Sequence, residues 1–106
     1  MHDRDHVTAD ELASSAGSFR IVDIRKAPDE RQIPHSERLE GAALENGEHV
    51  PFRKDEPVVL YCGSGNSCSR IAKTLRDRGY NTLALDGGYK SWVDAGLPTE
   101  QRPPSS

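Results

Sequence analysis

The apolar run Val58–Tyr61, which ends in Cys62, constrains the fold of this chain more than any other feature. A small, turn-prone stretch follows from Gly63 to Ser67, and a helical pattern begins at Cys68. A strand, a glycine-containing loop and a helix in this order direct backbone amides and a helix N-terminus towards one point. A thiol at that point loses its proton more readily, because the surrounding dipoles favour the thiolate. The segment therefore predicts a nucleophilic cysteine at Cys62.

The glycines of this loop also affect what surrounds the sulfur. Gly63 and Gly65 allow backbone angles that other residues resist, so we expect the loop to curl until the amides of about Ser64 to Cys68 face Cys62. Such a cradle stabilises a negative sulfur. The alternative is an inert buried cysteine, which is common in protein cores. The position just before a helix entry favours the reactive interpretation.

Size, charge and cysteine content narrow the class of protein. The chain has 106 residues, enough for one domain with its own core, and its net charge is -3 with no basic run that suggests nucleic acid. No apolar run approaches membrane-spanning length, and residues 1–5 lack the apolar stretch of a signal peptide. We expect a cytoplasmic protein with reduced thiols and no membrane partner. Two cysteines and four scattered histidines predict neither a disulfide scaffold nor a metal or other cofactor.

Short apolar runs alternate with helical segments along the chain. Thr8 and Glu11 have the spacing of a capping box, which predicts a helix that Gly17 closes. Ser67 or Ser69 is expected to cap the helix after Cys62, and Gly79 is expected to end it, with Tyr80 packed back onto its last turn. Further helices are predicted at residues 28–32 and 89–95, and strands at 19–24, within 40–44, at 58–61 and at 82–85. This alternation predicts an α/β fold with a parallel sheet covered by helices on both faces. The functional site of such a sheet lies beyond the carboxyl ends of its strands, where Cys62 lies.

Five segments in a fixed order carry a family resemblance. They are Val22-Asp23-Ile24-Arg25, Glu40-Gly41-Ala42, Tyr61-Cys62-Gly63-Ser64-Gly65-Asn66, Leu85-Asp86-Gly87-Gly88-Tyr89-Lys90-Ser91-Trp92 and Gly96-Leu97-Pro98. With these segments the chain resembles the rhodanese-like sulfurtransferase domains. The resemblance covers about residues 8–100, with residues 1–7 and 101–106 expected as flexible ends. It implies a central parallel sheet of about five short strands.

The resemblance also implies a reaction. Cys62 attacks the outer sulfur of a donor such as thiosulfate, sulfite leaves, and a persulfide remains on Cys62. A thiol, cyanide or a sulfur-carrier protein then accepts the sulfur. The implied substrate-binding residues are Gly63, Ser64, Gly65, Asn66, Ser67 and Cys68.

Three departures from the family pattern limit what the resemblance implies. Ser67 stands where many single-domain relatives have arginine, so capture of a dianionic donor is expected to be weaker. Arg70 or Lys73 could supply the missing charge, although a solvated surface role is the favoured interpretation for each. The segment 32–52 lacks the family's Gly-His-Ile-Pro, so one wall of the site is expected to differ. The acidic residues at 37, 40, 45 and 48 fit either a basic partner or a solvated loop.

The third of these departures is Cys68, where relatives often have serine. The favoured interpretation is a small packed residue. The alternative is a resolving thiol that attacks the Cys62 persulfide, releases sulfide and leaves a disulfide, which requires Cα atoms within about 7 Å. Asp23 and Arg25 are expected to form a structural pair, and Trp92 to anchor the core.

Several functions therefore remain open. The first is a single-domain sulfurtransferase, and the second is a persulfide carrier or redox module with weak turnover of small donors. A phosphatase or arsenate reductase ranks low, because the sixth residue after Cys62 is Cys68 and not the arginine of Cys-x5-Arg loops. A silent binding domain also ranks low, because such domains usually lack the loop cysteine.

Overall fold

The computed structural model describes residues 6–25, 31–46, 50–63 and 66–101. Its strands are β1 (His6–Val7), β2 (Arg20–Asp23), β3 (Arg31–Gln32), β4 (Glu37–Arg38), β5 (Val58–Tyr61), β6 (Thr82–Leu85) and β7 (Glu100–Gln101). Its helices are α1 (Ala9–Ser14), α2 (Gly41–Asn46), α3 (Asn66–Asp77) and α4 (Gly88–Asp94), with a one-turn 3-10 helix at Ala16–Ser18.

A parallel sheet forms the centre of the molecule. Within the described residues it has five strands in the order β1-β6-β5-β2-β4, while β3 and β7 pair antiparallel elsewhere. The predicted α/β fold with a central parallel sheet is therefore confirmed. His6 and Val7, inside the segment expected as a flexible N-terminus, form the edge strand next to β6. In the described part of the chain, no helix has the length and apolar content needed to cross a membrane.

Strand β5 is buried on both faces, which explains its continuous apolar sequence. Alternate β5 side chains enter two core clusters. One cluster includes Ile71 and Leu75 of α3, and the other includes Leu12 of α1 and Trp92 of α4. Each fully buried Val or Leu contributes roughly 1.5–3 kcal/mol. The end of β5, and with it Cys62, is thus fixed between two packed layers.

The start of α1 agrees with the sequence, but its end does not. Thr8 Oγ1 accepts a hydrogen bond from the Glu11 amide at 3.1 Å, and Glu11 Oε1 accepts one from the Thr8 amide at 2.9 Å, which confirms the capping box. The expectation that Gly17 closes this helix is wrong. The Ser15 amide donates to the carbonyls of Glu11 and Leu12, so the last turn tightens and the chain continues into the 3-10 helix.

The end of α3 agrees with the prediction. Gly79 has a φ of 98°, and its amide donates to the Arg76 carbonyl at 2.9 Å. The Tyr80 amide donates to the Leu75 carbonyl at 3.0 Å, and the Tyr80 ring packs against the core cluster that contains Leu75. These two bonds form a Schellman motif, which needs a left-handed residue at the position of Gly79.

Three local predictions are wrong. The strand expected within residues 40–44 is helix α2, whose Leu44 is buried in the core cluster on the α3 side of the sheet. Residues 31–32 form β3 and not the end of a helix, because they pair with β7, while residues 26–30 lie outside the described residues. Ser67 and Ser69 do not cap α3, because the helix begins at Asn66. Short segments with weak patterns take the structure that their tertiary partners impose.

Candidate active site

The first turn of α4 holds the backbone that carries Cys62. The Tyr89 amide donates to the Cys62 carbonyl at 2.7 Å, and the Lys90 amide donates to the Gly63 carbonyl at 3.1 Å. Amides in a first helical turn have no acceptor inside their own helix, so they can donate to groups outside it. Gly87 has a φ of 76°, which lets the chain turn from β6 directly into this position. The end of β5 is thereby fixed on the carboxyl edge of the sheet.

The sulfur of Cys62 lies at the N-terminus of α3. The Cys68 amide donates a hydrogen bond to Sγ of Cys62 over 3.4 Å. Cys68 is the third residue of α3, so its amide is one of the groups that the helix leaves without an internal acceptor. The positive end of the helix dipole and this amide both favour a negative sulfur. Ser64 and Gly65, whose amides were also expected to face Cys62, lie outside the described residues.

Cys68 is fully buried behind Cys62. Its thiol points to the Leu85 carbonyl oxygen, 3.9 Å away. A hydrogen bond with Cys62, together with burial, raises the pKa of the Cys68 thiol. In the described part of the chain neither cysteine is in a disulfide. Cys68 is therefore a protonated thiol next to the residue that the helix end favours as a thiolate.

A cavity of about 370 Å³ opens beside Cys62, which is itself only 6% exposed. Of the residues expected at the site, Cys62, Gly63 and Ser67 line this cavity. Asn66 is exposed at the start of α3 and is not among the described lining residues. The other described lining residues are Ile24, Arg25, Glu40, Gly41, Ala42, Glu45, Arg70 and Ile71.

Arg25 forms one wall of the cavity and is held by Asp23. Its Nε and Nη2 atoms donate to the Asp23 carboxylate at 3.0 and 2.8 Å, with Arg25 6% exposed and Asp23 fully buried. Nη2 also donates to the Arg31 carbonyl at 2.8 Å, and the guanidinium lies 4.3 Å from the centre of the Tyr89 ring. A buried arginine with this many partners has a fixed position. The pair joins β2, the β3 segment and α4 around the site.

Helix α2 provides another wall of the cavity and lies within the segment 32–52, which was expected to form a wall of unusual shape, but the sequence did not identify its contact with α3. Arg70 Nη1 donates to Glu45 Oε2, so an ion pair links α3 to α2 at the cavity. Ser67, Arg70 and Ile71 have the i, i+3, i+4 spacing of one helix face, and this signal could have located Arg70. No comparable spacing locates Glu45, which follows the segment interpreted as a strand and was expected either against a basic partner or in a solvated loop. Lys73, the other candidate cation, pairs with Asp77 at 3.1 Å on the exposed surface.

This arrangement suits nucleophilic chemistry on a small substrate. A sulfur atom with an amide donor lies against a cavity large enough for a molecule of a few heavy atoms, and two arginines with carboxylate partners line that cavity. A preformed thiolate needs no general base to attack.

Known proteins show the same architecture. The family model of the rhodanese-like domain matches residues 8–95. Thiosulfate sulfurtransferase GlpE of Actinobacillus succinogenes is 35% identical over 86 residues, which cover 76% of this chain and 74% of that protein. The crystal structure of a rhodanese-related protein from Thermoplasma volcanium has a TM-score of 0.81 at 21% identity and covers 92% of this chain and 99% of that chain.

One further relative is much longer than the matched region. Protein HIGH ARSENIC CONTENT 1 of Arabidopsis thaliana is 38% identical over 52 residues, which are 48% of this chain. The match spans 31% of the length of the Arabidopsis protein.

Proposed function

Because the chain belongs to the rhodanese-like domain family, we propose that it is a sulfurtransferase that carries a sulfane sulfur as a persulfide on Cys62. The observation that supports this most is the hydrogen bond from the Cys68 amide to Sγ of Cys62, at the N-terminus of α3 and beside a cavity. The donor is a small sulfur compound such as thiosulfate, and the acceptor is a thiol, cyanide or a carrier protein. The reaction needs reduced cysteine, which fits a cytoplasmic location.

The first half-reaction moves one sulfur atom onto the protein. The Cys62 thiolate attacks the outer sulfur of the donor, a bond forms between the two sulfur atoms, and the electron pair of the broken bond leaves with the rest of the donor. With thiosulfate the leaving group is sulfite. The product is a Cys62 persulfide, whose charge then lies on the outer sulfur. Amide donors at this position stabilise the charge before and after transfer.

The second half-reaction returns Cys62 to its starting state. An acceptor thiolate or cyanide attacks the outer sulfur of the persulfide, and Cys62 leaves as a thiolate. The same groups that lower the cost of the thiolate make Cys62 a good leaving group. We propose that Gly63, Ser64, Gly65, Asn66, Ser67 and Cys68 bind the transferred sulfur and the donor in both steps.

A second candidate function is supported by the closeness of the two cysteines. A persulfide carrier or redox module would use the Cys68 thiol to attack Cys62 of the persulfide, which forms a Cys62–Cys68 disulfide and releases hydrogen sulfide. The hydrogen bond between the two cysteine side chains favours this step, because it brings the two sulfur atoms close together. The raised pKa of the buried Cys68 thiol opposes it, because the thiolate is the attacking species. We therefore rank transfer to an external acceptor first.

Intact mass of the reduced protein distinguishes the two candidates. The protein is incubated with thiosulfate and separately with mercaptopyruvate, alongside the variants Cys62→Ser and Cys68→Ser. Gain of one sulfur atom that requires Cys62 supports the sulfurtransferase, and steady-state transfer to cyanide supports the enzyme over the carrier. Loss of two hydrogens that requires both cysteines supports the redox module. Normal transfer by Cys62→Ser would refute both.

A further inference from the structure

An ion pair between Glu45 of α2 and Arg70 of α3 lies at the cavity that contains Cys62. Both side chains line the cavity, with the Arg70 side chain 59% exposed and the Glu45 side chain 32% exposed. The two residues are 25 positions apart in the sequence, so the ion pair forms only when α2 and α3 pack together around the site. A substrate that enters the cavity therefore meets the Arg70 guanidinium together with the Glu45 carboxylate.

The other charged residues of the cavity also pair positive with negative charge. Among the described lining residues, Arg25 and Arg70 are countered by Glu40 and Glu45. The Arg25 charge is also offset from behind by the buried carboxylate of Asp23. Each of these two arginines thus has a carboxylate within ion-pair distance, and Glu40 adds a further negative charge at the exposed rim. A dianion gains little from such a lining, because attraction and repulsion largely cancel.

We propose that Glu45 is a specificity-determining residue, which by holding Arg70 disfavours dianionic donors such as thiosulfate and suits the cavity to a monoanionic alkyl persulfide. This proposal rests on the proposed sulfurtransferase function. In the favoured reaction the Cys62 thiolate attacks the outer sulfur of the alkyl persulfide. The sulfur–sulfur bond of the donor breaks, the alkyl thiolate leaves with its electron pair, and the transferred sulfur stays on Cys62.

The size of the effect follows from the charge of the donor. Replacing Glu45 by glutamine removes one negative charge and frees the Arg70 guanidinium for the substrate. The electrostatic free energy of a bound donor changes about twice as much for a donor with two negative charges as for a donor with one. Water screens the site, so we expect a rise of about five- to tenfold in the ratio of kcat/KM for thiosulfate to kcat/KM for the alkyl persulfide. The rise should shrink as ionic strength increases.

The test measures kcat/KM with thiosulfate and with cysteine persulfide. The ratio of the two values is compared between the unmodified full chain and the variants Glu45→Gln, Arg70→Gln and Asp77→Asn. Glu45→Gln and Arg70→Gln break the same ion pair, so a purely structural role moves the ratio in the same direction in both. The proposal requires opposite directions, up in Glu45→Gln and down in Arg70→Gln. Asp77→Asn makes the same change in net charge as Glu45→Gln, but Asp77 pairs with Lys73 on the exposed surface at the C-terminal end of α3. Neither residue is among the described lining residues of the cavity, so this variant should leave the ratio unchanged.

The outcomes separate this proposal from the proposed function. An unchanged ratio in Glu45→Gln, or equal changes in Glu45→Gln and Asp77→Asn, overturns the role of Glu45 while persulfide formation on Cys62 stands. If neither donor leaves a sulfur atom on Cys62 in the unmodified protein, the proposed function fails and this proposal fails with it. If Glu45→Gln does not fold, the fall in ratio expected for Arg70→Gln and its dependence on ionic strength still test the proposal.

Discussion

The amide of Cys68 donates to Sγ of Cys62, while the Cys68 thiol is fully buried and directed at the Leu85 carbonyl. The two cysteines are six positions apart and are hydrogen-bonded to each other, yet their surroundings differ. The first lies at a helix end beside a cavity, and the second lies inside the core. This difference predicts that the two thiols react differently.

Alkylation should distinguish the two cysteines. We expect iodoacetamide at pH 7.5 to label Cys62 and spare Cys68, because burial and the hydrogen bond with Cys62 raise the pKa of the Cys68 thiol and limit access to it. Intact mass should show one added group on the folded protein and two in urea. Cys62→Ser should remain unlabelled while folded. Rapid double labelling of the folded protein would contradict this assignment.

The raised pKa of Cys68 also predicts a loss of stability at alkaline pH. The unfolded thiol loses its proton near pH 8.5, whereas the folded thiol keeps it to higher pH, so the unfolded state binds fewer protons above that value. This contribution to stability is complete below about pH 8.5 and falls by up to about 1.4 kcal/mol per pH unit above it.

Urea unfolding at pH 7.5 and pH 10 measures this contribution. Cys68→Ala should lose less stability over this interval than the unmodified protein does. The buried hydroxyl of Tyr61, whose pKa is raised by burial, is present in both proteins and so cancels in the comparison. Equal losses in the two proteins would show that Cys68 ionises normally in the folded state.

The predictable parts of this molecule are those that local chemistry determines. The continuous apolar sequence of β5, the capping box at Thr8 and the closing glycine at Gly79 each depend on a few neighbouring residues, and each was confirmed. The order of strand, cysteine and helix also placed Cys62 correctly at the edge of the sheet. These features need no knowledge of distant contacts.

The parts that could not be predicted depend on distant contacts. Helix α2 has six residues and one buried side chain, Leu44, so its pattern fits a strand equally well until it packs near α3. Because a strand was expected within residues 40–44, Glu45 was assigned to a solvated loop or a basic partner, and its contact with α3 could not be recognised. Arg70 was considered as a cation, but the sequence could not show that a carboxylate 25 positions away already pairs with it.

The buried pair of Asp23 and Arg25 should contribute strongly to stability. Asp23→Asn leaves a buried guanidinium without its carboxylate partner, and such a change costs about 3–5 kcal/mol. Asp77→Asn removes a carboxylate from an exposed pair and should cost about 0–1 kcal/mol. The free energies of unfolding from urea titrations compare the two variants. A cost for Asp23→Asn as small as that for Asp77→Asn would mean that Arg25 finds another partner.

Three glycine-to-alanine variants test whether the first turn of α4 supports the site, with Gly17 and Gly96 as controls for Gly87. Gly17→Ala places its Cβ in open space without a left-handed backbone, so the free energy of unfolding should change by less than about 1 kcal/mol. Gly96→Ala also meets open space, but its φ of 74° is left-handed and should cost about 1–2 kcal/mol. Gly87→Ala combines a φ of 76° with a Cβ only 2.7 Å from Cβ of Ser91, and should cost about 2–4 kcal/mol.

Gly87→Ala should also reduce sulfur transfer, whereas Gly96→Ala should not. The Ser91 hydroxyl donates to the Asp86 carbonyl at 2.6 Å, so Ser91 cannot move away freely and α4 must shift instead. That shift displaces the amides that hold the carbonyls of Cys62 and Gly63, and the sulfur moves relative to the Cys68 amide. We expect kcat/KM to fall at least tenfold at a temperature where both variants are fully folded by circular dichroism. Equal activity in the two variants would show that α4 supports the fold without positioning Cys62.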